Sequence, residues 1–229
     1  MAVYKIAGLT VEYSCYFDLL KSRSKKYICD EKEVQIKLSL DESYFISRRA
    51  KFPTLTDEEI EYIGMGAAFY KELLRFDGMM LHASAVELDG QAYLFSAPSG
   101  TGKSTHTEGW LRAFEKANIV NDDKPAIRKI DGRHYAFGTP FSGKHDISLN
   151  EGYPIKGICF LDRGENQIKK LTTEQAMTPL FNQTIRPDDE SKMDLLCRCA
   201  EDLLKNVSFY AMLCDTSQEA AKMAYEMMK

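Results

Sequence analysis

Apolar and polar positions alternate in part over three stretches within residues 1–40. They read VYKIAGL, TVEYSCYF and EVQIKLSL, and the charged run KSRSKKYICDEKE lies between the second and the third. Partial alternation with β-branched and aromatic residues is typical of strands, whereas the charged run is typical of a loop or hairpin. We therefore predict a β-rich N-terminal segment over residues 1–55 that packs on the rest of the chain.

The period changes to that of a helix at Thr56. The stretch TDEE places this threonine three residues before Glu59, which is the arrangement of a capping box at a helix start. The apolar positions that follow at helical spacing, up to a stop at Gly78, are Ile60, Ile63, Ala67, Tyr70 and Leu74. We predict that this stripe faces the core of the protein.

Short strands alternate with helices after Gly78. MMLHASAVEL and QAYLFSA flank the pair Asp89 and Gly90, which favours a tight hairpin because glycine accepts positive φ. The second strand leads directly into a glycine-rich loop, and a helix follows from Ser104. The later elements are a hairpin of AIRKI and HYAFG, a buried strand GICFL, helices over 173–181 and 191–206, a strand VSFYAML and a last helix capped by Thr216.

This order of elements predicts a mixed α/β fold and not a purely parallel sheet. We predict one domain over residues 1–229, with a nucleotide-binding core over 79–165 and C-terminal helices and a strand over 166–229.

The composition narrows the class of protein without indicating its chemistry. Of 229 residues, 44% are hydrophobic and 28% are charged, as in an ordinary globular domain. The net charge of -4 argues against nucleic acid as main partner, since nucleic-acid binders present a basic face. No stretch approaches the roughly 18 apolar residues of a membrane span, so we expect a cytoplasmic protein without a membrane partner. The cysteines lack CxxC spacing, so we expect reduced thiols and no zinc site.

The stretch FSAPSGTGKSTHT nearly fits the P-loop pattern GxxxxGK[ST], with Ala97 in place of the first glycine. A strand-to-helix turn without side-chain bulk lets phosphate oxygens approach backbone N–H groups. Lys103 can then reach the β and γ phosphates, and the Ser104 hydroxyl can bind magnesium. The alternative is a glycine-rich loop with a solvated lysine. The predicted nucleotide-binding residues are Pro98, Ser99, Gly100, Thr101, Gly102, Lys103, Ser104 and Thr105.

Candidate catalytic residues lie on both sides of this loop in the sequence. Asp122 and Asp123 follow an apolar stretch, and in a phosphotransferase one such carboxylate organises the metal while the other takes a proton; the alternative is an acidic turn. His82 precedes the loop in a strand, where a lone histidine is more often a packing residue. In GTPFSGKHD, Lys144 and His145 either contact the γ-phosphate or the acceptor, or are solvated.

The order of a strand histidine, a DG hairpin, PSGTGKST and then NDD resembles the catalytic core of HPr kinase/phosphorylase, whose P-loop is related to that of phosphoenolpyruvate carboxykinases. FGTPFSGKHDISLN is similar to a group of smaller HPr-kinase-like proteins. The resemblance covers about residues 82–162. It implies a mixed β-sheet P-loop core flanked by helices, with ATP and Mg²⁺ as cofactors. HPr kinases form hexamers, so a homo-oligomer is compatible with it.

Carried over by residue, the resemblance implies phosphate and magnesium roles for Lys103 and Ser104. It implies a place beside the reacting phosphoryl group for His82 and the general-base role for one of the two aspartates; we expect Asp122 as base and Asp123 toward the metal. The family's later glutamate signature is not recognisable, since IKGICF keeps only a glycine in an apolar frame. Phosphorylase activity and HPr as substrate are therefore not implied.

We expect an ATP- and Mg-dependent kinase that phosphorylates a hydroxyl on a peptide, a protein serine or a small molecule. The alternative function is a nucleotide-sensing binding module that transfers no phosphate. A carboxykinase-like enzyme is disfavoured, because such enzymes are far longer than this chain.

Overall fold

The computed structural model describes residues 2–229. Within that range no helix is both long enough and apolar enough to cross a membrane. The strands are β1 (Ala2–Ile6), β2 (Leu9–Tyr13), β3 (Ile36–Lys37), β4 (Gly78–Met80), β5 (Ala83–Leu88), β6 (Gln91–Ser96), β7 (Asn118–Asn121), β8 (Ala126–Ile130), β9 (Arg133–Phe137), β10 (Gly152–Arg163), β11 (Gln167–Lys170) and β12 (Ser208–Cys214). The α-helices are α1 (Asp18–Ser24), α2 (Glu42–Lys51), α3 (Asp57–Leu73), α4 (Lys103–Ala113), α5 (Thr173–Asn182), α6 (Glu190–Asn206) and α7 (Gln218–Met228).

Among the described residues, a nine-stranded mixed sheet forms the centre of the protein. Its order is β4-β8-β9-β10-β6-β5-β7, while β12 pairs with β10 and β11 pairs with β12. The long strand β10 joins the two halves, because its first residues pair with β9 and its later residues lie parallel to β6 and β12. A smaller sheet, β1-β2-β3, lies in the N-terminal segment. The predicted mixed α/β class is confirmed.

Alternation along β6 separates the core around the large sheet into two layers. Leu94 belongs to a buried cluster with Leu180 of α5 and Leu196 of α6. The next residue, Phe95, points to the other face of the sheet, as successive strand residues do, and packs against Trp110 of α4. The cluster on that face also includes residues of α7. The sheet is therefore covered by helices on both faces.

The N-terminal segment contains helices that the pattern did not predict. The charged run expected to form a loop begins inside α1, whose Leu20 and Ser24 are buried one turn apart. Asp41 is the N-cap of α2, and its carboxylate accepts a 2.8 Å hydrogen bond from the Tyr44 amide. Only two residues of EVQIKLSL form a strand. Charged residues on the exposed helix faces obscured the apolar period, so residues 1–55 are mixed in structure and not β-rich.

Helix α3 confirms the predicted capping box and corrects the predicted apolar stripe. The Thr56 hydroxyl accepts a hydrogen bond from the Glu59 amide, and the Glu59 carboxylate accepts one from the Thr56 amide. Ile63, predicted to lie in the core, is 50% exposed. Ile60, Tyr70 and Leu74 of the predicted stripe are buried, and the helix also buries Met65 and Phe69.

A hairpin turn and a helix cap were also predicted from local residue types. The predicted hairpin between β5 and β6 is confirmed, with Asp89 at φ 51° and Gly90 at φ 75°. The cap of the last helix is displaced by one residue from Thr216, because the Ser217 side chain accepts the hydrogen bond from the Ala220 amide.

Candidate functional site

One edge of the large sheet gathers most of the predicted site residues. Because β5 is antiparallel to β6 and β7, and β10 is parallel to β6, the carboxyl ends of β6, β7 and β10 lie there beside the amino end of β5. A cleft of about 660 Å³ opens at this edge, which is where open α/β sheets commonly bind ligands. The predicted residues that line it are His82, Ser99, Gly100, Gly102, Lys103, Ser104, Thr105, Asp122, Asp123 and Lys144.

Two glycines shape the loop between β6 and α4. Gly100 has φ +80° and Gly102 has φ +120°, and a Cβ at either position would meet no atom within 4 Å. Glycine is favoured at both positions because φ is positive, and not because a side chain would collide with a neighbour. Gly102 is the N-cap of α4, so the first amides of that helix lack partners within the helix. Pro98 and Thr101 belong to the loop without lining the cleft.

The Lys103 side chain lies against the loop that precedes it. Its amine is largely buried and donates hydrogen bonds to the carbonyls of Ala97, at 2.9 Å, and Pro98, at 3.4 Å. Burial lowers the pKa of Lys103, while the charges of Asp123 and Asp122 oppose that shift. Ala97 is itself buried in the core, so alanine in place of the P-loop glycine puts no bulk into the cleft.

The residues NDD, Asn121 to Asp123, form a sharp turn at the end of β7. The Asn121 side-chain oxygen accepts hydrogen bonds from the Asp123 amide, at 3.0 Å, and the Lys124 amide, at 2.7 Å. Its side-chain nitrogen donates to the Thr139 carbonyl at 3.2 Å. An asparagine that bonds to the following backbone in this way bends the chain sharply. The side chains of Asp122 and Asp123 consequently reach different partners.

Asp122 is held by hydroxyl groups. Ser104 Oγ donates to Asp122 Oδ2 at 3.1 Å, and Ser84 Oγ donates to Asp122 Oδ1. Asp122 is 7% exposed. The carboxylate is thus buried beside the first turn of α4, with uncharged donors on both oxygens.

Asp123 is held by a histidine and a lysine. His82 Nε2 lies 3.3 Å from Asp123 Oδ1, and the Lys124 amine contacts Asp123 Oδ2. Burial raises the pKa of Asp123, but the hydrogen bond from His82 and the charge of Lys124 outweigh burial and lower the pKa to about 2. The other ring nitrogen of His82 lies 2.9 Å from Gln183 Oε1, which fixes the orientation of the ring.

The rim of the cleft carries further positive charge. Lys144 and His145 are exposed there. Arg163, at the end of β10, donates to the Thr101 carbonyl at 3.2 Å and to the Gly100 carbonyl at 2.7 Å. Arg163 therefore ties the glycine-rich loop to the neighbouring strand.

The sequence pattern did not indicate three residues of the site, which are Ser84, Lys124 and Gln183. Ser84 was detectable in principle, because it lies two residues after His82 in extended chain and so shares a face with it. Lys124 directly follows the NDD turn. Gln183 comes from the end of α5, and no local signal connects it with His82.

A magnesium ion fits these residues only together with a nucleotide. In the part of the chain that the structure describes, no three His, Cys, Asp or Glu side chains form a group that could hold a metal. Ser104 Oγ and Asp122 Oδ2 are oxygen ligands 3.1 Å apart. Mg²⁺ typically takes one or two protein oxygens and completes its shell with substrate phosphates and water. The donor set is compatible with that mode of binding.

No protein-family model and no curated protein matches the sequence. A solved structure similar to this chain is that of the Hpr(Ser) kinase/phosphatase from Coxiella burnetii. The two are 10% identical, the match covers 65% of this chain and 93% of the other, and the TM-score is 0.37. A likeness of this level carries no weight for function.

Proposed function

We propose that this protein is a magnesium-dependent kinase that transfers the γ-phosphoryl group of ATP to a hydroxyl group. One observation carries the proposal: the hydroxyl of Ser104, the amine of Lys103, two carboxylates and His82 meet in a single cleft at the start of a helix. Phosphoryl transfer depends on positioning and charge neutralisation by groups of these kinds.

The nucleotide phosphates are proposed to bind on the loop of residues 98–105. The free amides at the start of α4 and the positive end of the helix favour an anion there. Lys103 exchanges its bonds to the loop carbonyls for bonds to phosphate oxygens. Its amine is already at the cleft, so the exchange needs only a side-chain rotation.

The two aspartates are proposed to act in the reverse of the roles expected from the sequence. Asp122 and Ser104 hold the magnesium ion, which neutralises charge on the phosphates when bound. Asp123 is the general base, and His82 orients it. This assignment is supported by the hydrogen bond between Ser104 and Asp122 and by the contact between His82 and Asp123.

The chemistry then follows from these positions. The acceptor oxygen forms a bond to the γ-phosphorus while the bond from that phosphorus to the β–γ bridging oxygen breaks, and its electron pair leaves on ADP. The acceptor proton passes to Asp123, which is ionised at neutral pH because its pKa is about 2. Lys144 lines the rim of the cleft, and it is proposed to contact the γ-phosphate or the acceptor. The acceptor is the hydroxyl of a peptide or protein serine, or of a small molecule.

A transfer assay tests the proposal directly. Purified protein is incubated with [γ-³²P]ATP, magnesium and a panel of serine peptides, sugars and other alcohols, and labelled product is measured. Calorimetry with ATP, with and without magnesium, gives the affinity. We expect tight binding that depends on magnesium and transfer to at least one class of acceptor. Absence of binding refutes the kinase, whereas tight binding without transfer to any acceptor favours the nucleotide-sensing module.

Variants separate the roles of the charged residues. We expect Lys103→Ala to abolish turnover with the fold intact, while Lys116→Ala, which changes an exposed lysine after the same helix, keeps full activity. Asp123→Asn is expected to lower turnover by about 10²-fold or more, as loss of a general base does, with ATP affinity nearly unchanged. Asp122→Asn is expected to remove the magnesium dependence of ATP binding. Full activity of the double variant of Asp122 and Asp123 would exclude both as catalytic groups.

A further inference from the structure

The Asp123 carboxylate is packed against a glycine of the neighbouring loop. Gly143 has φ +77°, and a Cβ built on it would lie 2.7 Å from Asp123 Cβ and 3.2 Å from Asp123 Cγ. The Gly143 backbone is therefore one wall of the space that Asp123 occupies, and His82 and Lys124 form others. A shift of this backbone changes where the Asp123 carboxylate can lie.

Side chains from the N-terminal part of the chain hold Gly143 in place. The Arg23 guanidinium donates a hydrogen bond to the Gly143 carbonyl, and the Gly143 amide donates to the Tyr62 hydroxyl at 3.2 Å. The Arg23 guanidinium also lies over the Tyr62 ring, 4.6 Å from its centroid. Both backbone polar groups of Gly143 are thus satisfied by side chains more than 80 positions away in sequence.

The loop that contains Gly143 is attached to the N-terminal segment a second time, at Ser148. The Tyr27 hydroxyl donates to Ser148 Oγ at 3.0 Å, and the Lys26 amine donates to the Ser148 carbonyl at 2.7 Å. Between these attachments, the Ile147 carbonyl accepts a 3.2 Å hydrogen bond from the Asp122 amide. The loop therefore connects the N-terminal segment with the turn that carries both aspartates.

We propose that Arg23 is a positioning residue for Asp123, acting through Gly143 and Tyr62. This inference rests on the proposed function, because it assigns a part in phosphoryl transfer to a side chain that does not line the cleft. A catalytic group displaced by about 1 Å can cost 10²-fold in rate without a matching loss of substrate binding. The N-terminal segment is then a working part of the site and not an appendage.

The test compares Arg23 with a second arginine stacked on a tyrosine in the N-terminal part of the chain. Arg48 lies 5.0 Å from the centroid of the Tyr44 ring, is similarly half-buried, and is the matched control. We expect Arg23→Gln to lower turnover of magnesium-ATP, with water or an identified alcohol as acceptor, by at least tenfold, with ATP affinity within threefold of wild type. Arg23→Lys, which keeps a donor, should recover part of the loss. Arg48→Gln should leave turnover unchanged.

Two results overturn the inference. One is equal turnover of Arg23→Gln and Arg48→Gln. The other is a loss of ATP affinity equal to the loss of turnover in a folded Arg23→Gln variant, which shows no selective effect on catalysis. If Arg23→Gln does not fold, Tyr62→Phe removes the hydroxyl that accepts from the Gly143 amide and keeps the ring, and the same criteria apply to it.

Hydrogen exchange separates failure of this inference from failure of the kinase proposal. If the wild-type protein binds no ATP, the proposed function fails, but exchange at the amides of Asp122 and Gly143 still reports the connection. We expect these amides to exchange at least tenfold faster in Arg23→Gln than in wild type or Arg48→Gln. If these amides exchange at equal rates in wild type, Arg23→Gln and Arg48→Gln, Arg23 does not position Asp123, whether or not the protein transfers phosphate.

Discussion

Replacing His106 by glutamine is expected to make the protein less sensitive to acid. His106 lies on the first turn of α4, is 4% exposed and packs against Phe95 with ring centroids 4.5 Å apart. Trp110 Nε1 donates a 3.3 Å hydrogen bond to His106 Nε2, which requires that nitrogen to be unprotonated. Burial lowers the pKa of His106 to about 4. A glutamine amide oxygen can accept the same hydrogen bond and does not titrate.

The size and sign of the effect follow from linkage. Below its ordinary pKa of 6.5, histidine is protonated in the unfolded chain, while His106 in the folded protein stays neutral until about pH 4. The unfolded state therefore binds more protons, and stability falls as pH falls through this window. A shift of about 2.5 pKa units corresponds to about 3 kcal/mol when complete, of which about 2 kcal/mol is lost between pH 7 and pH 5.

Urea unfolding at pH 7 and pH 5 measures this loss. Trp110, the single tryptophan of the chain, contacts His106 and provides the fluorescence signal. The decrease in unfolding free energy from pH 7 to pH 5 should be about 2 kcal/mol smaller in His106→Gln than in wild type. His145→Gln, at an exposed histidine, is the control for loss of one imidazole. The reasoning is refuted if His106→Gln and wild type lose equal stability over this range.

Three further changes test other contacts of the site. Arg163→Gln removes two hydrogen bonds to the glycine-rich loop and should weaken ATP binding by about 1 kcal/mol, or roughly fivefold, in calorimetry. Tyr27→Phe leaves the buried Ser148 hydroxyl without its donor and should lower the unfolding free energy by about 1 kcal/mol in urea titrations. Ser84→Ala removes a donor to Asp122, and should lower turnover without changing the fold seen by circular dichroism.

The sequence was most informative where geometry is local. A glycine-rich turn between a strand and a helix needs particular residues at fixed spacing, so GTGKST could be interpreted without tertiary structure. Likewise Thr56 and Glu59 make a complete capping box within four residues, and Asp89 with Gly90 forms a hairpin alone. In each case the partners of the interaction are neighbours in the chain.

The sequence was least informative where partners are distant. Adjacent aspartates look equivalent in NDD, and only the positions of Ser84 and His82 relative to the turn distinguish them. The attachment of Gly143 to Arg23 spans 120 positions, and nothing in GTPFSGKHD indicates it. The sequence did not indicate helix α1 for a related reason. Its buried face is short, and only its packing against α3 identifies that face.

The different surroundings of Asp122 and Asp123 indicate which of the two would bind a metal ion. The Asp123 carboxylate already contacts the Lys124 amine and the His82 ring, so a divalent ion gains little additional attraction there. Asp122 is buried and accepts hydrogen bonds from two hydroxyls, which satisfy its oxygens without neutralising its charge. A buried carboxylate of this kind is costly unless a cation approaches it. In the proposed kinase, Asp122 is therefore the carboxylate whose burial a magnesium ion would stabilise, which leaves Asp123, in contact with His82, as the proposed proton acceptor.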